Sequence, residues 1–151
     1  MPLAQTLRNH AFTIGLDEGQ IASLSSLATE VTFEENQVIL VDGEQSKSFY
    51  LLTSGSVAVE LRTPRYVVCV QALEPGQVFG WSALLEHQDT LFQVRARERT
   101  TALRIDGAAL KSECRSDTQL GAEILERTLR VVAGRVKATE IRFAEMCGVR
   151  I

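Results

Sequence analysis

Histidine is nearly missing from this chain, with His10 and His87 the only two, and its three cysteines, Cys69, Cys114 and Cys147, lie far apart with no CxxC pair. Zinc sites and disulfide frameworks need such residues at short, paired spacings, so neither organises the fold, no metal or cofactor is expected, and the thiols read as reduced. His87 has two readings, a metal or haem ligand and an exposed loop residue. Long apolar runs are missing as well. The longest, Tyr66–Val70 and Val38–Val41, fall far short of the roughly 20 residues of a membrane span, and the N-terminus lacks a signal-peptide apolar core. The expectation is a cytoplasmic protein with no membrane contact. Positive charge is not in excess, since 16 Lys and Arg face 19 Asp and Glu for a net charge of −3. A basic nucleic-acid footprint is therefore absent. No G-x-S-x-G, P-loop or HExxH spacing occurs, and no Ser/His/Asp set can be ordered, so an enzyme is not expected.

What is present is an ordinary globular composition, 45% hydrophobic and 23% charged over 151 residues. A chain of that length buries about 68–70% of its unfolded surface in one core, which implies one domain with an appendage. Leu3–Phe12 is a weakly amphipathic opening. At Asp17 a helix start is well marked: Asp17 caps, Gln20 stands at the third helical position, and Leu16 and Ile21 take the two places of a hydrophobic staple. Ile21, Leu24, Leu27, Ala28 and Val31 then recur on one helical face.

From Val31 to about Ile105 the period changes to short runs rich in Val, Ile, Leu and aromatics, separated by turn signals at Asn36, Asp42-Gly43, Ser54-Gly55, Thr63-Pro64 and Pro75-Gly76. Such spacing predicts a small sandwich, barrel or β-roll. Val57, Val59 and Leu61 alternate with Ala58, Glu60 and Arg62, which predicts one core face and one wet face.

Asp106 caps a predicted helix over Ala108–Cys114, and Asp117 caps a long one reaching about Met146. Leu125, Leu129, Val132, Val136, Thr139, Phe143 and Met146 recur there at alternating spacings of four and three, a heptad seam that asks for a partner helix. In a parallel pair Arg135 would take a g position opposite Glu140 of a second copy. The other reading packs this stripe on the chain's own β domain. Gly134 costs about 1 kcal/mol relative to Ala in a helix, and either permits close approach or is simply tolerated.

The stretch Glu74–Ala96 organises the rest: a Gly turn, a short helix start and a returning strand, which can present free backbone amides to an anion. With Gly43 in ILVDGE, Tyr50 and Gly55 in FYLLTSGSV, Leu73, Pro75, Gly76, Phe79 and Gly80 in LEPGQVFG, and Ala83-Leu84-Leu85, the whole chain resembles the cyclic nucleotide-binding domain of the catabolite-activator type. Asn36 stands where that family usually has a further Gly, a mild change because Asn tolerates the left-handed region. The resemblance implies a mainly β fold with flanking helices, a double-stranded β-helix or jelly roll, in residues 1–116, followed by a dimerisation helix in 117–151.

The departures bear on function. Family members that bind cyclic nucleotide place a Glu for the ribose hydroxyl after Phe-Gly, where this chain has Trp81, and further on an Arg for the phosphate followed by a small residue, where an ungapped alignment puts Thr90 and Leu91. Each charge-assisted contact contributes about 1.5–3 kcal/mol, so losing two removes roughly two to four orders of magnitude in affinity. Binding of cyclic AMP or GMP at physiological affinity is not expected. The remaining donors are the amides near Ser82 and Ala83 and the Ser82 hydroxyl. Arg95 and Arg97 share the face of their strand opposite Val94 and Ala96 and are expected to point to solvent. Arg62 and Arg65 either fold over the pocket mouth or decorate a hairpin tip. The candidate site is thus Phe79, Gly80, Trp81, Ser82, Ala83, Thr90, Leu91 and Phe92, with two alternatives: an open pocket for a flatter, more apolar small molecule, or a cavity filled by Trp81 and Phe92. Cupins share the β-roll, but their metal sites need several converging histidines.

DNA-binding relatives carry a helix-turn-helix after the long helix, and only Cys147–Ile151 follow Met146 here, so direct DNA binding is not expected. Two functions remain. One is a stand-alone homodimeric sensor that couples a small ligand at 74–96 to the helix seam through Leu125, Leu129, Val132, Arg135, Val136, Thr139, Glu140, Phe143 and Met146. The other is a non-sensing interaction module that offers the same dimer to a larger assembly.

Overall fold

The computed structural model describes residues 2–86 and 89–150. Two helices open the chain, α1 (Leu3–Asn9) and α2 (Glu18–Leu27). The start of α2 follows its local chemistry: the Asp17 carboxylate accepts from the Gln20 amide at 2.7 Å while the Gln20 side chain accepts from the Asp17 amide at 3.0 Å. Eight strands follow as β1 (Ala28–Phe33), β2 (Val38–Leu40), β3 (Ser48–Ser54), β4 (Val57–Arg62), β5 (Val67–Leu73), β6 (Val78–Phe79), β7 (Gln93–Ala96) and β8 (Thr100–Asp106), then α3 (Gly107–Ser116) and α4 (Thr118–Met146). Asp106 and Asp117 cap α3 and α4 through their carboxylates.

The strands form two four-stranded antiparallel sheets, ordered β1-β8-β3-β6 and β2-β7-β4-β5. Strand β3 explains why SFYLL reads as a continuous apolar run. Its Tyr50 and Leu52 face the second sheet, among Phe33, Val57, Val59, Phe79 and Val94. Its Phe49 and Leu51 face the helices, among Leu7, Ile21, Leu24, Leu110, Leu120 and Ile124. A strand covered on both faces has no polar side to alternate with. The result is the expected mainly β roll with flanking helices and a long C-terminal helix.

Buried His10 fastens the N-terminal helix to this roll. Its Nε2 lies 2.8 Å from the Leu52 carbonyl and its Nδ1 accepts from the Phe12 amide at 3.1 Å. Only the neutral ring protonated at Nε2 satisfies both bonds. Burial, working against the bond to Leu52, holds the ring's pKa below the ordinary 6.5.

The structure departs from the sequence reading at several points. The helical face read through Ala28 and Val31 stops with α2 at Leu27, and both residues pair with β8 as part of β1. Glu60, expected on a wet face, is 3% exposed. The ladder between β4 and β5 slips at Val59/Glu60, and Gln93 and Arg95 of the neighbouring strand close over the carboxylate. The short helix after Gly80 is a single 3-10 turn, Trp81–Leu84, because Gly80 enters it left-handed at φ 79 and Leu85 leaves it extended. Gly134 has nothing within 4 Å of an added Cβ, so it does not serve a close helix approach within this chain.

Helix α4 presents two faces. Leu120, Gly121, Ile124 and Thr128 are buried on the domain. Leu125, Leu129, Val136, Phe143 and Met146 are between 51% and 85% exposed, so most of the heptad stripe is left uncovered by the chain itself.

Candidate functional site

The site is assembled from the end of β6, the turn after it, the entry to β7 and the second half of α4. Strand β6 is anchored by pairing Phe79 with Tyr50 and Val78 with Leu51, and the Phe79 and Tyr50 rings stack with centroids 4.8 Å apart. Gly80 then has to be glycine, because a Cβ there would lie 2.5 Å from the Ser48 carbonyl oxygen in a conformation that L side chains rarely adopt. The chain turns through Trp81–Leu84 and returns past Thr90 into β7.

Between this cassette and α4 lies a cavity of about 1130 Å³, just above the roughly 300–1,000 Å³ typical of small-molecule pockets. Phe79, Gly80, Trp81, Ser82, Thr90, Leu91 and Phe92 all line it. Leu40, Val59, Val70 and Val94 form its floor, and Val132, Arg135, Val136, Thr139 and Phe143 its helical wall. Trp81 is half-buried, packs towards the helix-side core and leaves the space open. Phe92 packs on the inter-sheet core.

Ala83, expected to offer an amide here, does not line the cavity. It is 4% exposed, and its N–H donates to the Gly80 carbonyl at 3.0 Å, the bond that closes the 3-10 turn. Ser82 is also engaged: its hydroxyl oxygen accepts from the Ser46 amide at 3.2 Å, and Gln45 donates to its carbonyl at 3.0 Å. The Thr90 hydroxyl oxygen accepts from the Phe92 amide at 3.2 Å. The turn thus takes up the Ala83 amide, whereas the Ser82 and Thr90 hydroxyls accept in these bonds and keep their O–H protons to donate.

None of the four arginines considered from the sequence lines the cavity. Arg95 is half-buried rather than solvated and grips Glu60 with two N–H groups at 3.0 and 2.6 Å, with Gln93 adding a bond at 2.8 Å. Burial works against the Glu60 charge, but the hydrogen bonds from Arg95 and Gln93 and the charge of Arg95 outweigh it and hold the carboxyl below its ordinary pKa. Val59 and Val94 face the cavity, so Glu60 and Arg95, one residue on, face the other way. Arg97 and Arg65 are exposed, and Arg62 pairs with Asp42 at 3.1 Å.

The cavity's basic groups, Arg135 and Arg142, come from α4 instead. Arg135, assigned from the heptad to an interchain pair, turns back to its own roll and donates from Nη2 to the Val78 carbonyl at 2.8 Å. Burial pulls its pKa below the ordinary value. The sequence does not announce this contact, since nothing local says that α4 reaches β6. Among the described residues no group of three His, Cys, Asp or Glu could hold a metal ion, and no helix is long and apolar enough to cross a membrane. His87 lies outside the described residues.

The family model of the cyclic nucleotide-binding domain matches residues 30–117, from the second residue pair of β1 through the cassette to the end of α3. The chain belongs to the cyclic nucleotide-binding domain family. A cyclic nucleotide-binding domain from Methylobacillus flagellatus superposes with a TM-score of 0.83 at 16% identity, covering 95% of this chain and 83% of that one. The regulatory subunit of a cAMP-independent protein kinase A from Trypanosoma brucei gives a TM-score of 0.70 at 21% identity, over 88% of this chain and 49% of that one. A mutant of that subunit carrying Glu-to-Ala, Thr-to-Arg and Val-to-Ala changes, the last two at adjacent positions, is bound to cAMP in its A site. The potassium channel AKT1 of Oryza sativa is 27% identical over 139 residues, 86% of this chain and 15% of the channel. The chain spans between 12% and 28% of the length of the curated relatives it matches. Membership in this family makes the chain a regulatory type of module.

Proposed function

We propose that this is a non-enzymatic sensor module whose cavity takes a small ligand other than cyclic AMP or GMP, and whose α4 carries the bound state to a second copy of the chain. The observation that carries the reading is the open cavity between cassette and α4, walled by Trp81, Thr90 and Leu91 where cyclic-nucleotide binders of the family have Glu, Arg and a small residue. The Trypanosoma subunit supports it: a Thr-Val pair there gives way to Arg-Ala in the cAMP-bound mutant, and this chain has Thr90-Leu91 in the corresponding sense.

Because α4 is both cavity wall and exposed stripe, a ligand that changes its seat changes the surface offered to a second helix. Such coupling requires different ligand affinity for two packings of α4. The exposed Leu125 and Leu129 also suit a plain scaffold, the second reading, in which the stripe serves a larger assembly without a ligand.

The test is calorimetric titration of cyclic AMP. The wild-type chain is expected to show no saturation below millimolar concentration, and the triple variant Trp81→Glu, Thr90→Arg, Leu91→Ala to bind about two to four orders of magnitude more tightly. Micromolar saturation of the wild type would sink the reading. Sedimentation of Leu129→Glu, expected to be monomeric where wild type is dimeric, tests the seam. A wild type that dimerises but responds to no metabolite in a thermal-shift screen favours the scaffold.

A further inference from the structure

A charge taken partly out of water is costly unless a counter-charge or full hydrogen bonding compensates it. Arg135 is half-buried, and no carboxylate among the described residues reaches ion-pair distance of it. Among the described residues its side chain bonds only to the neutral Val78 carbonyl, which leaves most of its N–H donors unused. Glu140, on the cavity wall, is exposed and makes no ion pair with it. Arg142, which also lines the cavity, is exposed to solvent, and two further arginines of α4 are compensated. Arg127 holds Glu123 at 3.1 Å and donates to the Phe12 and Ile14 carbonyls, each at 2.8 Å, and Arg130 holds Glu126 at 2.8 Å.

Most of the remaining wall is apolar, with Val59, Phe79, Trp81, Leu91, Val94 and Phe143 on it, interrupted by Gln71, Ser82, Thr90 and Thr139 and by the charged Asp89, Glu140 and Arg142. Neither a purely apolar ligand nor a polyanion suits that combination. A hydrocarbon leaves the guanidinium without a counter-charge, and a doubly charged phosphate would face the apolar wall and the Asp89 and Glu140 carboxylates that line the same cavity. A carboxylate matches the two-donor edge of a guanidinium.

We infer that the cavity takes an amphiphilic carboxylate, its head paired with Arg135 and its hydrocarbon body lying along the apolar wall formed by the cassette and the β4–β7 floor. This rests on the reading of the cavity as a site for a non-nucleotide ligand. Arg135 then supplies from α4 the positive charge that Thr90 no longer supplies from the cassette, and the ligand's head contacts the helix that carries the exposed stripe.

Calorimetry with decanoate, 1-decanol and the neutral dye Nile red separates the possibilities, using wild type, Arg135→Gln and Arg135→Lys, each checked for folding by its thermal melt. Wild type is expected to prefer decanoate over decanol by about tenfold to a hundredfold. Arg135→Gln should erase that preference by weakening decanoate alone, and Arg135→Lys should restore part of it. Equal affinity for the two probes in wild type, or equal weakening of both in Arg135→Gln, overturns the carboxylate inference. If Nile red binds and decanoate does not displace it, this inference falls while the ligand cavity stands. If neither Nile red nor decanoate binds, both fall. If Arg135→Gln lowers dimer content by sedimentation and leaves decanoate affinity unchanged, Arg135 serves Glu140 of a second copy and the inference is again overturned.

Discussion

Arg95 and Arg135 lie on either side of the same cavity floor and resolve the cost of a half-buried charge in different ways. Arg95 has a carboxylate beneath it: Glu60 is 4% exposed at its side chain, 2.6 Å away, and further held by Gln93. Arg135 has, among the described residues, a single neutral carbonyl. The first arrangement is complete within the chain and ties β4 to β7. The second is incomplete among the described residues, and it borders the cavity of about 1130 Å³. The difference teaches where to look for a ligand. A compensated pair is architecture, whereas an uncompensated charge beside a cavity is a request for an anion.

Glu60→Ala is expected to have the largest effect, a loss of about 2–4 kcal/mol in urea unfolding, because it leaves Arg95 and Gln93 without an acceptor. The value sits below that of a fully enclosed pair because the Arg95 side chain keeps 38% exposure. A loss under about 0.5 kcal/mol would place the pair with ordinary surface bridges and break the comparison. Acid should act in the same direction. The folded Glu60 pKa is depressed, so its contribution is present above the ordinary 4.5 and is lost as pH falls through the lower folded value.

His10 offers a third solution, a group that avoids the cost by staying neutral. His10→Ala is expected to lose about 2 kcal/mol, since the Leu52 carbonyl and the Phe12 amide lose their partner. The folded pKa of His10 lies below 6.5, so the unfolded chain binds more protons and stability declines as pH drops from 6.5 towards the folded value. Unfolding of wild type and His10→Ala across that range should show the slope in the first and its loss in the second. A slope that persists in the variant would assign it to another group.

Arg135→Met should behave oppositely to Glu60→Ala. In ligand-free protein it is expected to change stability by no more than about 1 kcal/mol, because the lost bond to Val78 is offset by removal of a desolvated charge. A loss of several kcal/mol would mean that Arg135 is architectural, like Arg95. The smallest effect is expected at Thr128, whose buried hydroxyl has no hydrogen-bond partner among the described residues. Thr128→Val should raise stability by roughly 0.5–1 kcal/mol in thermal or urea unfolding, showing that an unsatisfied neutral group costs less than an unpaired charge.

Much of the fold was legible in the residues because the signals are local. The Asp17 and Gln20 capping box, the caps at Asp106 and Asp117, and the left-handed turns at Asn36, Gly43, Gly55, Gly76 and Gly80 are all present. Each depends on neighbours within a few positions. The cassette was legible for the same reason, and seven of its eight candidate residues line one cavity. Ala83 was misread because a 3-10 turn closes on a different carbonyl from an α-helix, and four residues carry no period that distinguishes the two.

By itself, then, the sequence determined the order of helices and strands, the turns, and the presence of Trp81 and Thr90 in the cassette. Only the tertiary structure decided the fate of the charges. Arg95 meets Glu60 across 35 residues and Arg135 meets Val78 across 57. A pattern read along the chain reports which face a residue shares with its neighbours, but whether a charge is compensated depends on what a distant strand or helix brings to it.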